Sequence, residues 1–210
     1  MDTTKTDLHK NNWVNPVTLV GQHVTLTPLS IEHCNDLMDA TKDGELWKLW
    51  YATVPSPEGM MTEIKNRIDS QNNGTMLPFA VIDNKNNRAI GMTTYFKISS
   101  IDKRLDIGWT WYAKSAQRTA INTESKLLLL KHAFEKLGCI AIGFGANFFN
   151  HDSRRAIERL GAKLDGIIRN NRIMPNGAKC DFCLYSIIDS EWYTVKINLE
   201  SKLNKAAKKY

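Results

Sequence analysis

The residues with the clearest potential for chemistry form the stretch Gln117-Arg118-Thr119-Ala120-Ile121-Asn122. It follows the apolar run 107–112, which is typical of a strand, and precedes residues 123–137, which are typical of a helix. The first N–H groups of a helix lack partners within it, and the helix dipole adds partial positive charge there. The pattern therefore predicts an anion site, although many such junctions bind nothing.

A second polar group begins the next predicted helix, residues 151–160. Asn150 is a suitable N-cap residue, and Ser153 follows three positions later. On the residues alone, the pair predicts a simple helix cap, which does not exclude a second role as ligand contacts.

The cysteines include one C-x-x-C spacing, Cys180 and Cys183, of the kind used by zinc and redox sites. No second such pair and no nearby histidine pair completes a four-ligand set, so free thiols are favoured. We expect no metal.

The net charge is +6, but four lysines among the last nine residues account for four of these charges and leave +2 for residues 1–201. This distribution favours a solvated helical tail over a nucleic-acid arm. The sequence has no apolar run long enough for a transmembrane helix and no signal-peptide stretch, so we expect a cytoplasmic protein without membrane or nucleic-acid partners.

The elements that must position these residues alternate in type along the chain. Predicted strands cover residues 23–27, 77–82, 89–96, 105–113, 140–146, 163–174 and 181–188, and predicted helices cover 31–41, 58–68, 121–137 and 151–160. This order predicts an α/β fold with a mixed central sheet flanked by helices. We expect one domain over residues 16–195, between a flexible arm (1–15) and a basic tail (196–210) that continues a helix.

Four segments taken together resemble the GNAT N-acetyltransferase superfamily, in the branch of the ribosomal-protein N-terminal acetyltransferases. They are residues 106–111, residues 117–126, residues 150–162, and residues 185–187 with Glu191 and Trp192. The resemblance implies that the strands holding Asp106 and Ile142 diverge and admit acetyl-CoA between them.

The resemblance also implies which residues hold acetyl-CoA. These are Trp109, Thr110, Trp111, Gln117, Arg118, Thr119, Ala120, Ile121, Asn122, Thr123, Asn150 and Ser153. The strand backbone would pair with the pantetheine arm, the loop would hold phosphates, and the Ser153 hydroxyl would meet the sulfur. Arg154 and Arg155 are further phosphate candidates, and Lys126 either helps neutralise phosphate or is a solvated lysine.

Three residues are implied to be catalytic: Ser153, Asp106 and Asn150. Asp106 stands where some family members carry a general base, and ion pairing with Arg104 or Lys103 is the alternative. The tyrosine that many members use as general acid is replaced by Ile157. Ser153 is then the best donor to the leaving thiolate, ahead of Tyr112 and Tyr185, which we expect to be structural.

Four aromatic residues are candidates for the acceptor site: Trp47, Trp50, Tyr51 and Trp109. Family members roof the acceptor cleft with the region around the first three. Core packing is the alternative for all four, and Trp109 and Trp111, two apart on a strand, are predicted to share a face.

The expected function is acetyl transfer from acetyl-CoA to an amine, on a protein N-terminus or a small molecule, by direct attack. The family loop carries glycine where this chain has Ala120, and glycine or alanine where it has Asn122. Ala120 and the missing tyrosine at Ile157 motivate an alternative, a catalytically inactive CoA-binding regulatory module. The last hairpin or the tail could support a homodimer.

Overall fold

The computed structural model describes residues 13–51 and 53–207. The strands are β1 (Leu19–Val20), β2 (Val24–Pro28), β3 (Met76–Asp83), β4 (Arg88–Ser99), β5 (Arg104–Tyr112), β6 (Ala141–Asn147), β7 (Lys163–Ile173) and β8 (Lys179–Ile188). The helices are α1 (Cys34–Lys42), α2 (Met60–Asn72), α3 (Ala120–Glu135), α4 (His151–Leu160) and α5 (Asp189–Ala207). The predicted α/β class is confirmed.

All eight strands form one sheet in the order β1-β2-β3-β4-β5-β6-β8-β7. Neighbouring strands are antiparallel except β5 and β6, which are parallel. A parallel pair needs a crossover connection, and α3 supplies it here. The helix that follows the predicted anion-binding stretch therefore lies directly beside the one parallel pair in the described sheet.

The helices cover both faces of the sheet. Adjacent residues of a strand point to opposite faces. The Thr94 hydroxyl of β4 accepts a hydrogen bond from Arg67 of α2, whereas the hydroxyl of its neighbour Tyr95 donates to the Leu129 carbonyl of α3. Helices α2 and α3 therefore lie on opposite faces, with the buried side chains of the sheet between them.

The chain ends contribute more to the fold than the sequence predicted. Trp13 and Val14 of the predicted arm pack against the core, while residues 1–12 lie outside the described residues. Helix α5 continues through the predicted boundary at 195/196, and its Leu199 is buried. Apolar side chains recur on α5 and hold it against α3.

Most predicted elements are found within a few residues of their expected bounds, and the two-residue strand β1 was missed because it is too short to show a period. Ser30 precedes a single turn of 3₁₀-helix, Ile31–His33, rather than capping α1 directly. Within the described ranges, no helix is long and apolar enough to span a bilayer.

Candidate functional site

A gap opens in the sheet between β5 and β6. The two strands pair through only three positions, Arg104 with Ala141, Leu105 with Ile142, and Asp106 with Gly143. Beyond Asp106, β6 remains paired with β8 and β5 with β4, but not with each other. The edge of β5 from Ile107 onward therefore offers backbone groups to a ligand, in the way that a sheet edge accepts an added strand.

Strand β5 is bulged beside this gap. Thr94 pairs with Gly108 and Met92 with Trp111, so Thr93 alone stands opposite Trp109 and Thr110. Trp109 has φ 51°, a left-handed conformation that is unfavourable for a residue with a side chain. A bulge of this kind re-aims side chains and backbone groups, and such bulges are common beside active sites.

The two tryptophans of β5 have different environments. The guanidinium groups of Arg67 and Arg172 both contact the Trp109 ring, with Cζ atoms 5.9 and 5.5 Å from its centroid. Trp111 is buried in the core. Of the two interpretations offered for this pair, the pocket wall fits Trp109 and core packing fits Trp111.

The loop between β5 and α3 is organised by its own polar side chains. Gln117 Nε2 donates to the Tyr112 carbonyl at 3.1 Å, and the Thr119 hydroxyl accepts from the Ile121 N–H at 3.3 Å as the N-cap of α3. The left-handed residue of the loop is the exposed Arg118, with φ 62°, whereas Ala120 is the first residue of α3. Since Ala120 is outside the positive-φ region, its methyl group causes no backbone strain there.

The N-terminal half of α3 is anchored to the β1–β2 turn. The Glu124 carboxylate accepts hydrogen bonds from the backbone N–H groups of Gln22, His23 and Val24 at 2.8, 2.6 and 2.9 Å. Gly21 is required beside it, because a Cβ there would lie 2.6 Å from Glu124 Cδ. The sequence did not predict that Glu124 binds this turn, because a glutamate within a helix does not indicate which distant backbone it contacts.

Asn150 and Ser153 begin α4, directly after β6. Asn150 Oδ1 accepts from the Ser153 N–H at 3.0 Å, so the helix cap predicted from the sequence is present. The pair follows the β6 strand that borders the gap. Asn150 and Ser153 thus lie at the end of one bordering strand, and the Gln117–Asn122 loop at the end of the other.

Asp106 occupies the last paired position before the gap. Its carboxylate lies 3.0 Å from the exposed ammonium of Lys97 on β4, so its ion pair is with neither Arg104 nor Lys103. Lys97 follows Phe96, the residue that pairs with Asp106, and lies in the irregular stretch of β4 between Phe96 and Ser99.

Both remaining candidate tyrosines are buried. Burial raises the pKa of Tyr112, whose hydroxyl lies in the protein interior. Tyr185 accepts from Arg154 Nε and donates to Glu158, both at 3.0 Å. Arg154 also donates to the Phe148 carbonyl, which leaves its guanidinium committed to the fold, and Arg155 pairs with Asp152 on the surface.

Three of the four predicted acceptor aromatics, Trp47, Trp50 and Tyr51, lie in the segment between α1 and α2. Trp50 contacts Tyr51 and also Phe149 of the β6–α4 loop, with ring centroids 5.6 and 5.8 Å apart. Trp47 is partly buried, with the Lys48 ammonium over its ring. None of the three belongs to the buried core cluster. The Trp50–Phe149 contact joins this segment to the loop that carries Asn150.

A cavity of about 200 Å³ lies next to Trp109 on the α2 side of the sheet. Its other lining residues are Thr53, Val54, Pro55 and Glu63. The Glu63 carboxylate pairs with Arg67 Nε at 2.7 Å, so the cavity has a polar wall on α2 and an aromatic wall on β5. Of the predicted acceptor residues, only Trp109 lines it.

The four cysteines are all buried free thiols. Burial raises the pKa of Cys139 to about 12, which makes it a poor nucleophile at neutral pH. In the described part of the chain, no three His, Cys, Asp or Glu side chains form a group that could hold a metal ion.

Known proteins resemble this chain in sequence and in fold. A family model described as an acetyltransferase (GNAT) domain matches residues 23–163. The "Putative ribosomal N-acetyltransferase YdaF" of Bacillus subtilis (strain 168) is 29% identical over 102 residues, which cover 49% of this chain and 55% of that protein. The match thus spans about half the length of this curated relative.

Solved structures give matches over nearly the whole chain. A "putative acetyltransferase" from T. thermophilus is 30% identical, with a TM-score of 0.79 over 91% of this chain and 99% of that one. The RimJ protein of Mycobacterium smegmatis, solved in complex with CoA-disulfide, is 17% identical, with a TM-score of 0.76 over 89% and 95% of the two chains. At that identity RimJ shares the fold alone.

Proposed function

This chain belongs to the GNAT acetyltransferase family, and from that premise we propose that it moves an acetyl group from acetyl-CoA to an amine by direct attack. The observation that carries the proposal is the gap between β5 and β6, with the N-terminus of α3 at one border and that of α4 at the other. The unpaired edge of β5 suits the amides of a pantetheine arm, and two helix N-termini suit phosphates and a developing negative charge.

The residues that would hold acetyl-CoA fit this geometry. The backbone of Trp109, Thr110 and Trp111 lines the gap through the edge of β5, and the Gln117–Asn122 loop leads into α3. Arg118 is exposed on that loop, where a phosphate can reach it, whereas Arg154 is committed to Tyr185 and Phe148. We therefore assign phosphate binding to Arg118 and the first turn of α3, and not to Arg154.

The reaction joins the amine nitrogen to the acetyl carbon and breaks the carbon–sulfur bond. A protein α-amino group has a pKa of about 8, so a substantial fraction is already neutral at physiological pH. Asp106 takes the proton that the amine loses, through a water, and becomes neutral. The leaving sulfur takes a proton from the Ser153 hydroxyl, which regains one from solvent water. Asn150 holds the first turn of α4, which carries this hydroxyl, by accepting from the Ser153 N–H.

Direct attack is favoured over an acyl-enzyme by the state of the cysteines. A ping-pong route needs an accessible thiolate beside the thioester, and all four thiols are buried. None of them lies in the segments that border the gap, Asp106–Tyr112, Gln117–Asn122 or Asn150–Ser153.

The acceptor is proposed to approach from the α2 side, through the cavity beside Trp109. A volume of about 200 Å³ accommodates one residue of a peptide N-terminus or a small amine. The name of the YdaF relative supports a ribosomal-protein N-terminus as one acceptor class to test. The inactive CoA-binding module remains the second candidate, because Ile157 replaces the family's tyrosine.

Release of free CoA thiol tests the proposal. The purified chain is incubated with acetyl-CoA and a panel of peptides with free N-termini and small amines, with N-terminally blocked peptides as controls. Thiol release that requires both protein and a free amine supports acetyl transfer. Acetyl-CoA binding without release for any amine would instead favour the inactive module.

A further inference from the structure

Lys126 of α3 is a buried lysine that the proposed reaction does not use. It is 6% exposed, and its Nζ lies 2.8 Å from the Thr110 hydroxyl and 3.4 Å from the Thr93 hydroxyl. No ion pair joins it to a carboxylate in the described structure. Of the two roles expected from the sequence, neither a solvated lysine nor a phosphate partner fits this position.

The two threonines that contact Lys126 lie at the bulge of β5, Thr110 within it and Thr93 opposite it on β4. Thr93 is the single β4 residue opposite Trp109 and Thr110, and the two threonine hydroxyls are 2.8 Å apart. The three polar groups bracket the bulge from the α3 side, while the Trp109 ring contacts Arg67 on the α2 side. Lys126 therefore supports the one strand segment that is both strained and unpaired toward β6.

Burial of the Lys126 amine lowers the stability of the fold. Burying an amine without a carboxylate penalises its charged form, and here burial lowers the pKa of Lys126 to about 7. A methionine has similar length and would avoid that penalty. Residues that lower stability without a structural return are found preferentially at functional sites.

We propose that Lys126 is a positioning residue for acetyl transfer, whose Nζ holds the Thr110 hydroxyl and thereby the bulged backbone of β5 that faces the gap. The inference rests on the proposed function, since that backbone is where the thioester carbonyl would meet an N–H donor. A small displacement of such a donor lowers the rate of the chemical step more than it lowers cofactor affinity.

The test compares Lys126→Met and Thr110→Val with wild type, and uses Lys131→Met as the matched control. Lys131 is exposed on the same helix, so its replacement changes charge and composition without reaching the bulge. The measurements are kcat, KM for acetyl-CoA and the thermal unfolding midpoint.

We expect Lys126→Met to lower kcat by about tenfold or more, with KM for acetyl-CoA changed by less than about threefold. Its unfolding midpoint should equal or exceed that of wild type, which a merely structural role would not produce. Thr110→Val should lower kcat similarly, Thr110→Ser should recover most of that loss, and the double variant should be no worse than the poorer single one.

Wild-type kcat in Lys126→Met would overturn the inference while leaving the proposed function intact. If Lys126→Met does not fold, the two variants of Thr110 provide the test. Equal kcat in Thr110→Val and Thr110→Ser would also overturn the inference. A wild-type protein that transfers no acetyl group would remove both proposals together.

Discussion

The Asp106 carboxylate and Gly143 meet across the last paired position between β5 and β6. A Cβ built on Gly143 would lie 2.0 Å from Asp106 Oδ1, closer than any real contact. The absence of a side chain on β6 thus makes room for the carboxylate at the apex of the gap. This relationship links a backbone requirement on one strand to a proposed catalytic group on the other.

Gly143→Ala should displace Asp106 and disturb the apex. We expect kcat/KM to fall by about tenfold or more, with a loss of about 1–3 kcal/mol in the free energy of unfolding from overpacking. Gly166→Ala is the control, because a Cβ there meets no atom within 4 Å. Chemical denaturation and steady-state kinetics measure both effects, and an unaffected Gly143→Ala would contradict the packing argument.

Asp106→Asn tests whether the negative charge of Asp106 is needed, because it removes the charge and keeps the shape of the side chain. The amide keeps the size of the carboxylate beside Gly143 but cannot take a proton, so we expect kcat/KM to fall by about tenfold to a hundredfold with little change in fold. Lys97→Met, which removes the ion-pair partner 3.0 Å away, serves as the comparison. Full activity in Asp106→Asn would exclude it as the base.

Asn150→Ala and Ser153→Ala should both lower turnover but differ in stability. Loss of the Asn150 side chain removes the N-cap of α4 and should cost about 1 kcal/mol, whereas Ser153 contributes only its backbone N–H to that cap. Thermal unfolding midpoints and thiol-release rates of the two variants distinguish a helix-capping role from a role in acetyl transfer. Unchanged rates in both would remove these residues from the site.

Lys126 should make the protein more stable as the pH rises above neutral. Its pKa is about 7 in the folded protein against 10.5 for an unperturbed lysine, so the unfolded state binds more protons between these values. The free energy of unfolding should therefore rise with pH across this window, by about 2 kcal/mol between pH 7 and 9 at most. The stability advantage of Lys126→Met over wild type should shrink over the same interval. A stability difference between Lys126→Met and wild type that does not change with pH would contradict the lowered pKa of Lys126.

Local patterns were sufficient to predict most of the fold. Turn residues, helix caps and apolar periods identified β2 to β8 and all four predicted helices, and the divergence of β5 and β6 followed from the family resemblance. The roles assigned to individual site residues stay predictions, since geometry alone tests none of them.

What the sequence could not indicate depends on contacts distant along the chain. The N-terminal half of α3 is buried on every side, from Thr123 to Lys126, so its polar residues Glu124 and Lys126 show no amphipathic period. Their partners lie on the β1–β2 turn and on the β5 bulge. The left-handed residue of the loop is Arg118 rather than the position where the family has glycine, a shift that only backbone dihedrals reveal.

Isothermal titration of the purified chain with acetyl-CoA, with NAD as the control ligand, tests the central claim most directly. We predict saturable, stoichiometric binding of acetyl-CoA and no binding of NAD. This prediction rests on the gap between β5 and β6 and on an α3 N-terminus in which Ala120 is not strained. Equal heats for both ligands, or none for acetyl-CoA, would contradict the assignment of this gap as an acetyl-CoA site.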